Sequence, residues 1–105
     1  MGMLENLEAM LAAGQDSPLL RFTLGNLLLK QGEAQGAVEH LLQAVTQDPG
    51  YSAAWKVYGK ALQALGDNVG AVQAYETGIA AARQKGDVQA AKEMRVFLKR
   101  LKKGV

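Results

Sequence analysis

Catalysis and metal binding need nucleophilic, titratable or ligating side chains grouped at usable spacings, and this chain of 105 residues offers few. His40 is the only histidine, set between Glu39 and Leu41 in a helical stretch with no second ligand at metal spacing. A surface or packing role is therefore expected of it. Cysteine is absent, which removes disulfides, thiolate nucleophiles and thiolate metal sites. Asp67 and Asp87 each stand just before an apolar-periodic stretch and read as helix caps, while Asp48 opens an Asp-Pro-Gly turn. Glycine-rich phosphate loops and nucleophile elbows are missing. The expectation is a non-enzymatic chain with no metal and no cofactor.

The remaining chemistry is charge. From Arg83 onward eight Lys or Arg face only Asp87 and Glu93, a local balance of +6, which leaves −4 for the first 82 residues of a chain whose total is +2. The carboxyl end is a basic pole. Aromatic residues do not alternate with these cations, so the stacking platform of a general nucleic-acid binder is lacking and no nucleic-acid partner is expected. No apolar run is long enough for a membrane span. The opening MGMLENLEAM carries acidic residues at helical spacing where a secretory leader needs basic and then purely apolar ones, and Asn6 departs from a myristoylation motif. A cytoplasmic location is the expectation.

The elements that would position any binding residue come from an internal repeat. Leu24, Gly25, Leu28, Gly32, Ala37, Val38, Leu41, Ala44 and Val45 recur 34 residues on as Tyr58, Gly59, Leu62, Gly66, Ala71, Val72, Tyr75, Gly78 and Ile79. Gly25 and Gly59 fall inside helices, where glycine costs about 1 kcal/mol relative to alanine, so their recurrence points to close helix approach. Gly32 and Gly66 end the first helix of each unit, and Glu33 or Asp67-Asn68 opens the second. Each unit is thus a hairpin of two antiparallel helices that must stack on neighbours to bury its apolar face.

These residues resemble the tetratricopeptide repeat family. Trp55, Tyr58-Gly59, Leu62, Gly66, Ala71, Tyr75 and Gly78 match its pattern in the second unit. Leu24-Gly25, Ala37, Leu41, Ala44 and Pro49 match in the first, with Arg21 where the family prefers Trp. The two units cover about two thirds of the chain. Arg83 replaces the closing proline of the second unit, so that helix is expected to run on toward Gly86. Neither a 34- nor a 35-residue shift extends the pattern into QAAKEMRVFLKRL, which reads as a terminal helix.

The expected architecture is all-α: a right-handed α-solenoid of antiparallel hairpins, about six helices in a single domain over 3–103. Residues 3–14 form an amino-terminal half unit, 18–51 the first repeat, 52–85 the second and 87–103 a carboxyl-terminal capping helix. Met3, Leu4, Leu7, Met10 and Leu11 make one apolar stripe of the first helix. Asp16-Ser17-Pro18 is a start signal for the second. In the last, Ala90, Ala91, Met94, Phe97, Leu98 and Leu101 share a face opposite Lys92, Arg95, Lys99, Lys102 and Lys103, as a solubilising cap should. Trp55, Tyr58 and Tyr75 are expected in the core.

On the first helix of each repeat, Phe22, Asn26 and Leu29 point away from the packing side, and Lys56, Lys60 and Gln63 are their counterparts 34 residues on. The resemblance implies that this side lines a concave groove holding a peptide of another protein, with apolar contact from Leu19, Phe22 and Leu29 and charge from Lys30, Lys56 and Lys60. The expected ligand carries carboxylates beside apolar anchors. Family members that clamp a terminal carboxylate use a lysine three residues before the helix glycine and asparagines nearby. Asn26 keeps one such asparagine, whereas Phe22 replaces the lysine and Val57 a second asparagine. Two other readings stand beside this one. The apolar side of Phe22 and Leu29 is completed by a second copy in a homodimer, or the basic carboxyl-terminal helix makes a weak polyanion contact.

Overall fold

Helix ends are written into the chain by glycine. Gly32 and Gly66 have φ of 82° and 84°, a left-handed conformation that other residues adopt only at a cost. Past each, the next amide turns back: Glu33 N–H donates to the Leu28 carbonyl and Asp67 N–H to the Leu62 carbonyl, both at 2.9 Å. The computed structural model describes residues 2–104, and these form six helices and no strands: α1 (Met3–Ala12), α2 (Pro18–Lys30), α3 (Ala34–Gln47), α4 (Ser52–Ala64), α5 (Asn68–Lys85) and α6 (Val88–Lys103). Starts are capped by side chains where the sequence supplies them. Ser17 Oγ accepts from Leu20 N–H at 3.1 Å, Asp67 from Gly70 N–H at 2.9 Å and Asp87 from Ala90 N–H at 3.1 Å.

Each hairpin closes where a glycine lets a large residue in. A Cβ on Gly25 would overlap the Leu41 side chain, and one on Gly59 the Tyr75 ring. Ala37, Leu41 and Ala44 are therefore buried against α2, as are Ala71, Tyr75 and Gly78 against α4. Gly78 also admits Met94 from α6. The shortest dimension of the molecule is 18 Å, room for two layers of helices about 10 Å across.

The curvature follows from which helices touch. Among the described residues α2 packs on α4 and α4 on α6, while α3 and α5 make no approach to each other. The first helices of successive hairpins sit closer together than the second ones, so the α2–α4–α6 side is concave.

Two expectations are corrected. Tyr75 is fully buried, but Trp55 and Tyr58 are only partly so, packed on the edges of the core. The reason is polar in Trp55: its indole N–H must reach the Pro49 carbonyl, 2.7 Å away at the surface. In α1, Leu4, Leu7 and Leu11 are half-buried while Met3 and Met10 remain 64% and 41% exposed. This helix has only α2 to pack against, and one neighbour covers a stripe narrower than the five-residue face.

Candidate partner-binding face

The floor of the concave side is built from one row of side chains per first helix. On α2 these are Leu19, Phe22, Asn26 and Leu29; on α4, Ala53, Lys56, Lys60 and Gln63. The matching row on α6 is fixed by contact. Lys56 Nζ donates to Glu93 Oε1 at 2.9 Å, and Lys60 Nζ sits 4.9 Å from the centroid of the Phe97 ring. The register between α4 and α6 is thus 37 residues, so Arg100 is the counterpart of Gln63.

Each residue nominated from the sequence can now be placed. Leu19 is 65% exposed at the start of α2, and Lys30 is exposed at its end. Phe22 and Leu29 are half-buried and pack against the cluster of Leu28, Ala37, Leu41, Val57 and Ala61, so each is part core and part surface. Phe22 also stacks on Tyr51, ring centroids 5.1 Å apart. Asn26 is half-buried between them. Lys56 and Lys60 are not free cations: the first is ion-paired, the second lies on an aromatic face. Gln63 is exposed, and its Oε1 accepts the hydrogen bond of the Tyr75 hydroxyl.

Glu93, Phe97 and Arg100 were not legible as groove residues. Their 4- and 3-residue steps repeat those of Lys56, Lys60 and Gln63, but only at the lengthened offset. A second unforeseen group lies where α2 meets α3. Arg21 grips Asp16 through two bonds of 2.8 Å, its Nη1 contacts His40 Nδ1 at 3.2 Å, and Gln47 donates to Asp16 at 2.9 Å. The Arg21 and Gln47 hydrogen bonds hold the Asp16 carboxyl well below the usual carboxylate range. Burial, then the Arg21 charge, push His40 below its ordinary value, so His40 is a neutral acceptor at this contact. Arginine in place of tryptophan thus swaps an apolar wedge for a polar tie.

At the amino end of α6, buried Ser52 donates to Asp87 at 2.6 Å, tying the start of α4 to the start of α6. This bond and the Ala90 N–H hold the Asp87 carboxyl below its ordinary value. Among the described residues no group of three or more histidine and carboxylate side chains is placed to hold a metal ion, and no helix is long and apolar enough to cross a membrane.

Known proteins agree with this architecture. The family model for the tetratricopeptide repeat matches residues 28–94. A TPR repeat-containing protein of Pseudomonas aeruginosa is 58% identical over 99 residues, covering 94% of each chain. The solution structure of a Bordetella parapertussis protein superposes with a TM-score of 0.85 at 50% identity, over 99% of this chain and 90% of that one. The crystal structure of a tetratricopeptide repeat domain protein from Salinibacter ruber gives 0.77 at 25% identity, over 83% and 97%. The chain belongs to the tetratricopeptide repeat family, a family of protein–protein interaction modules.

Proposed function

We propose that this protein is a non-enzymatic scaffold that holds a segment of a partner protein along the α2–α4–α6 face. The segment carries apolar anchors and a carboxylate. The observation that carries this reading is the division of that face: Leu19, Phe22 and Leu29 offer apolar surface on α2, while Lys60 and Arg100 offer positive charge on α4 and α6. Lys56 is discounted, because Glu93 neutralises it. The ligand charge is read by Lys60, and the apolar side chains by Phe22 and Leu29.

A peptide array in which apolar anchors are kept and flanking charges varied tests this. Acidic members should bind, and the Lys60→Gln and Phe22→Ala variants should each lose them while staying folded. Equal binding to acidic and basic members sinks the reading. Light scattering across a concentration range should give a monomer; a stable dimer would assign the apolar α2 side to a second copy.

A further inference from the structure

The ends of α4 and α6 enclose a feature that the groove reading does not use. A depression of about 330 Å³ is lined by Gln63, Asn68, Arg100, Leu101 and Gly104. Three of these carry amide or guanidinium donors and none is acidic. The Gln63 amide is oriented, since its Oε1 is taken by the Tyr75 hydroxyl and its NH₂ is left to face elsewhere. Arg100 has no carboxylate within 4.0 Å among the described residues. Asp67, next to Asn68 in the chain, is turned into its own helix by its bond from Gly70 N–H. The donors therefore converge without an internal acceptor.

Across Asn68 lies a second depression of about 300 Å³, lined by Asn68, Val69, Val72 and Lys102. Val69 is 72% exposed, and the Lys102 ammonium is drawn aside to Glu76 at 3.4 Å. This hollow is apolar in its interior. A donor-lined hollow and an apolar one, adjoining at a single asparagine, fit a group in which a carboxylate and an aliphatic side chain leave the same carbon.

We propose that this paired hollow takes the carboxyl-terminal residue of a partner polypeptide when that residue is aliphatic. Arg100 and the side-chain amides of Gln63 and Asn68 receive the carboxylate, and Val69 and Val72 receive the side chain. These residues lie apart from the helix positions of the family's carboxylate clamp, which in this chain fall at Phe22, Asn26 and Val57. The proposal deepens the partner-binding reading by giving one end of the bound segment a fixed seat.

Titration of the isotope-labelled protein with N-acetyl-Ala-Leu, bearing a free carboxylate, and with its carboxamide tests it by NMR. The free acid should move the side-chain amide signals of Gln63 and Asn68, the Arg100 Nε–H and the Val69 and Val72 methyls. The carboxamide should bind about tenfold more weakly, as should the free acid to Arg100→Gln or Asn68→Ala. Inorganic phosphate distinguishes a bare oxyanion site: shifts at Arg100 equal to those from the dipeptide, with the valine methyls still, overturn the proposal. So do shifts spread evenly over Lys92, Lys99 and Lys103. Long acidic peptides that move α2 and α4 signals while the dipeptide moves none would defeat this inference and leave the groove reading standing.

Discussion

Lys56 Nζ and Glu93 Oε1 meet at 2.9 Å across the concave face, joining two helices that are 37 residues apart in sequence. Both side chains keep partial contact with water, 24% and 38% exposed, so the attraction is screened and its worth is at most about 1 kcal/mol. Lys56→Glu places two carboxylates together and should lower unfolding free energy by about 1 kcal/mol in urea titration. Lys56→Glu with Glu93→Lys should recover most of it. No recovery would mean that the loss comes from the packing of the lysine stem.

The approach of α4 to α5 depends on the missing Cβ of Gly59. Gly59→Ala would drive a methyl into the Tyr75 ring, which is fully buried and has no space to retreat. We expect a loss of about 3 kcal/mol or failure of cooperative unfolding. Gly50→Ala is the control: its Cβ would lie 3.5 Å from Lys85 Cε, an ordinary contact, and the change should stay within about 0.5 kcal/mol. Equal effects in the two variants would refute the close-approach account.

Trp55 calls for a smaller figure than a tryptophan in a sealed core. Its side chain is half-buried beside Tyr58, with ring centroids 6.1 Å apart, and its N–H holds the Pro49 carbonyl. Trp55→Ala should cost about 3 kcal/mol, the low end for large aromatic truncations, leaving a folded domain with a depressed melting temperature. Trp55→Phe should lose the Pro49 bond but keep most of the packing, at about 1 kcal/mol.

The hairpins were legible because their signals are local and repeated: Gly25 with Gly59, Gly32 with Gly66, and the small residues Ala37 and Ala71 each meet the same need twice. The concave face was legible only on α2 and α4, which keep the 34-residue step. The α5 helix runs to Lys85 before Gly86 ends it, which delays α6 and moves its inward row to Glu93, Phe97 and Arg100. A fixed period cannot anticipate that delay. Whether a lysine is free or paired is likewise decided by a residue on another helix. The Arg21–His40 contact was hidden for the same reason, since neither side chain belongs to the repeat pattern.

That contact gives the protein an acid-sensitive element. His40 titrates lower in the folded chain than unfolded, where its value is about 6.5, because burial and Arg21 oppose the imidazolium. Glu8, Glu39 and Asp16 oppose this shift more weakly. Below about pH 6.5 the unfolded chain therefore binds the extra proton first, and stability falls with falling pH through the folded value. His40→Gln should flatten the stability profile between about pH 5 and 7 relative to wild type. A slope unchanged in that variant would assign the dependence to other groups.

Tyr75 governs the opposite limb. Burial pushes its hydroxyl up to about 12, against an unfolded value of about 10, so the folded chain keeps a proton that the unfolded chain loses. Stability is full below about pH 10 and declines as pH rises toward 12. Burial raises Tyr51 and Tyr58 in the same direction, so all three contribute to the slope. Tyr75→Phe should make the decline shallower without removing it. At neutral pH the same substitution gives up the hydroxyl bond to Gln63, and since Gln63 is exposed its oxygen turns to water, limiting the cost to about 1 kcal/mol. Freed from Tyr75, the Gln63 amide also loses its fixed orientation. Tyr75→Phe should therefore weaken N-acetyl-Ala-Leu binding at Arg100 although residue 75 touches no ligand, and an unchanged affinity would remove Gln63 from the carboxylate seat.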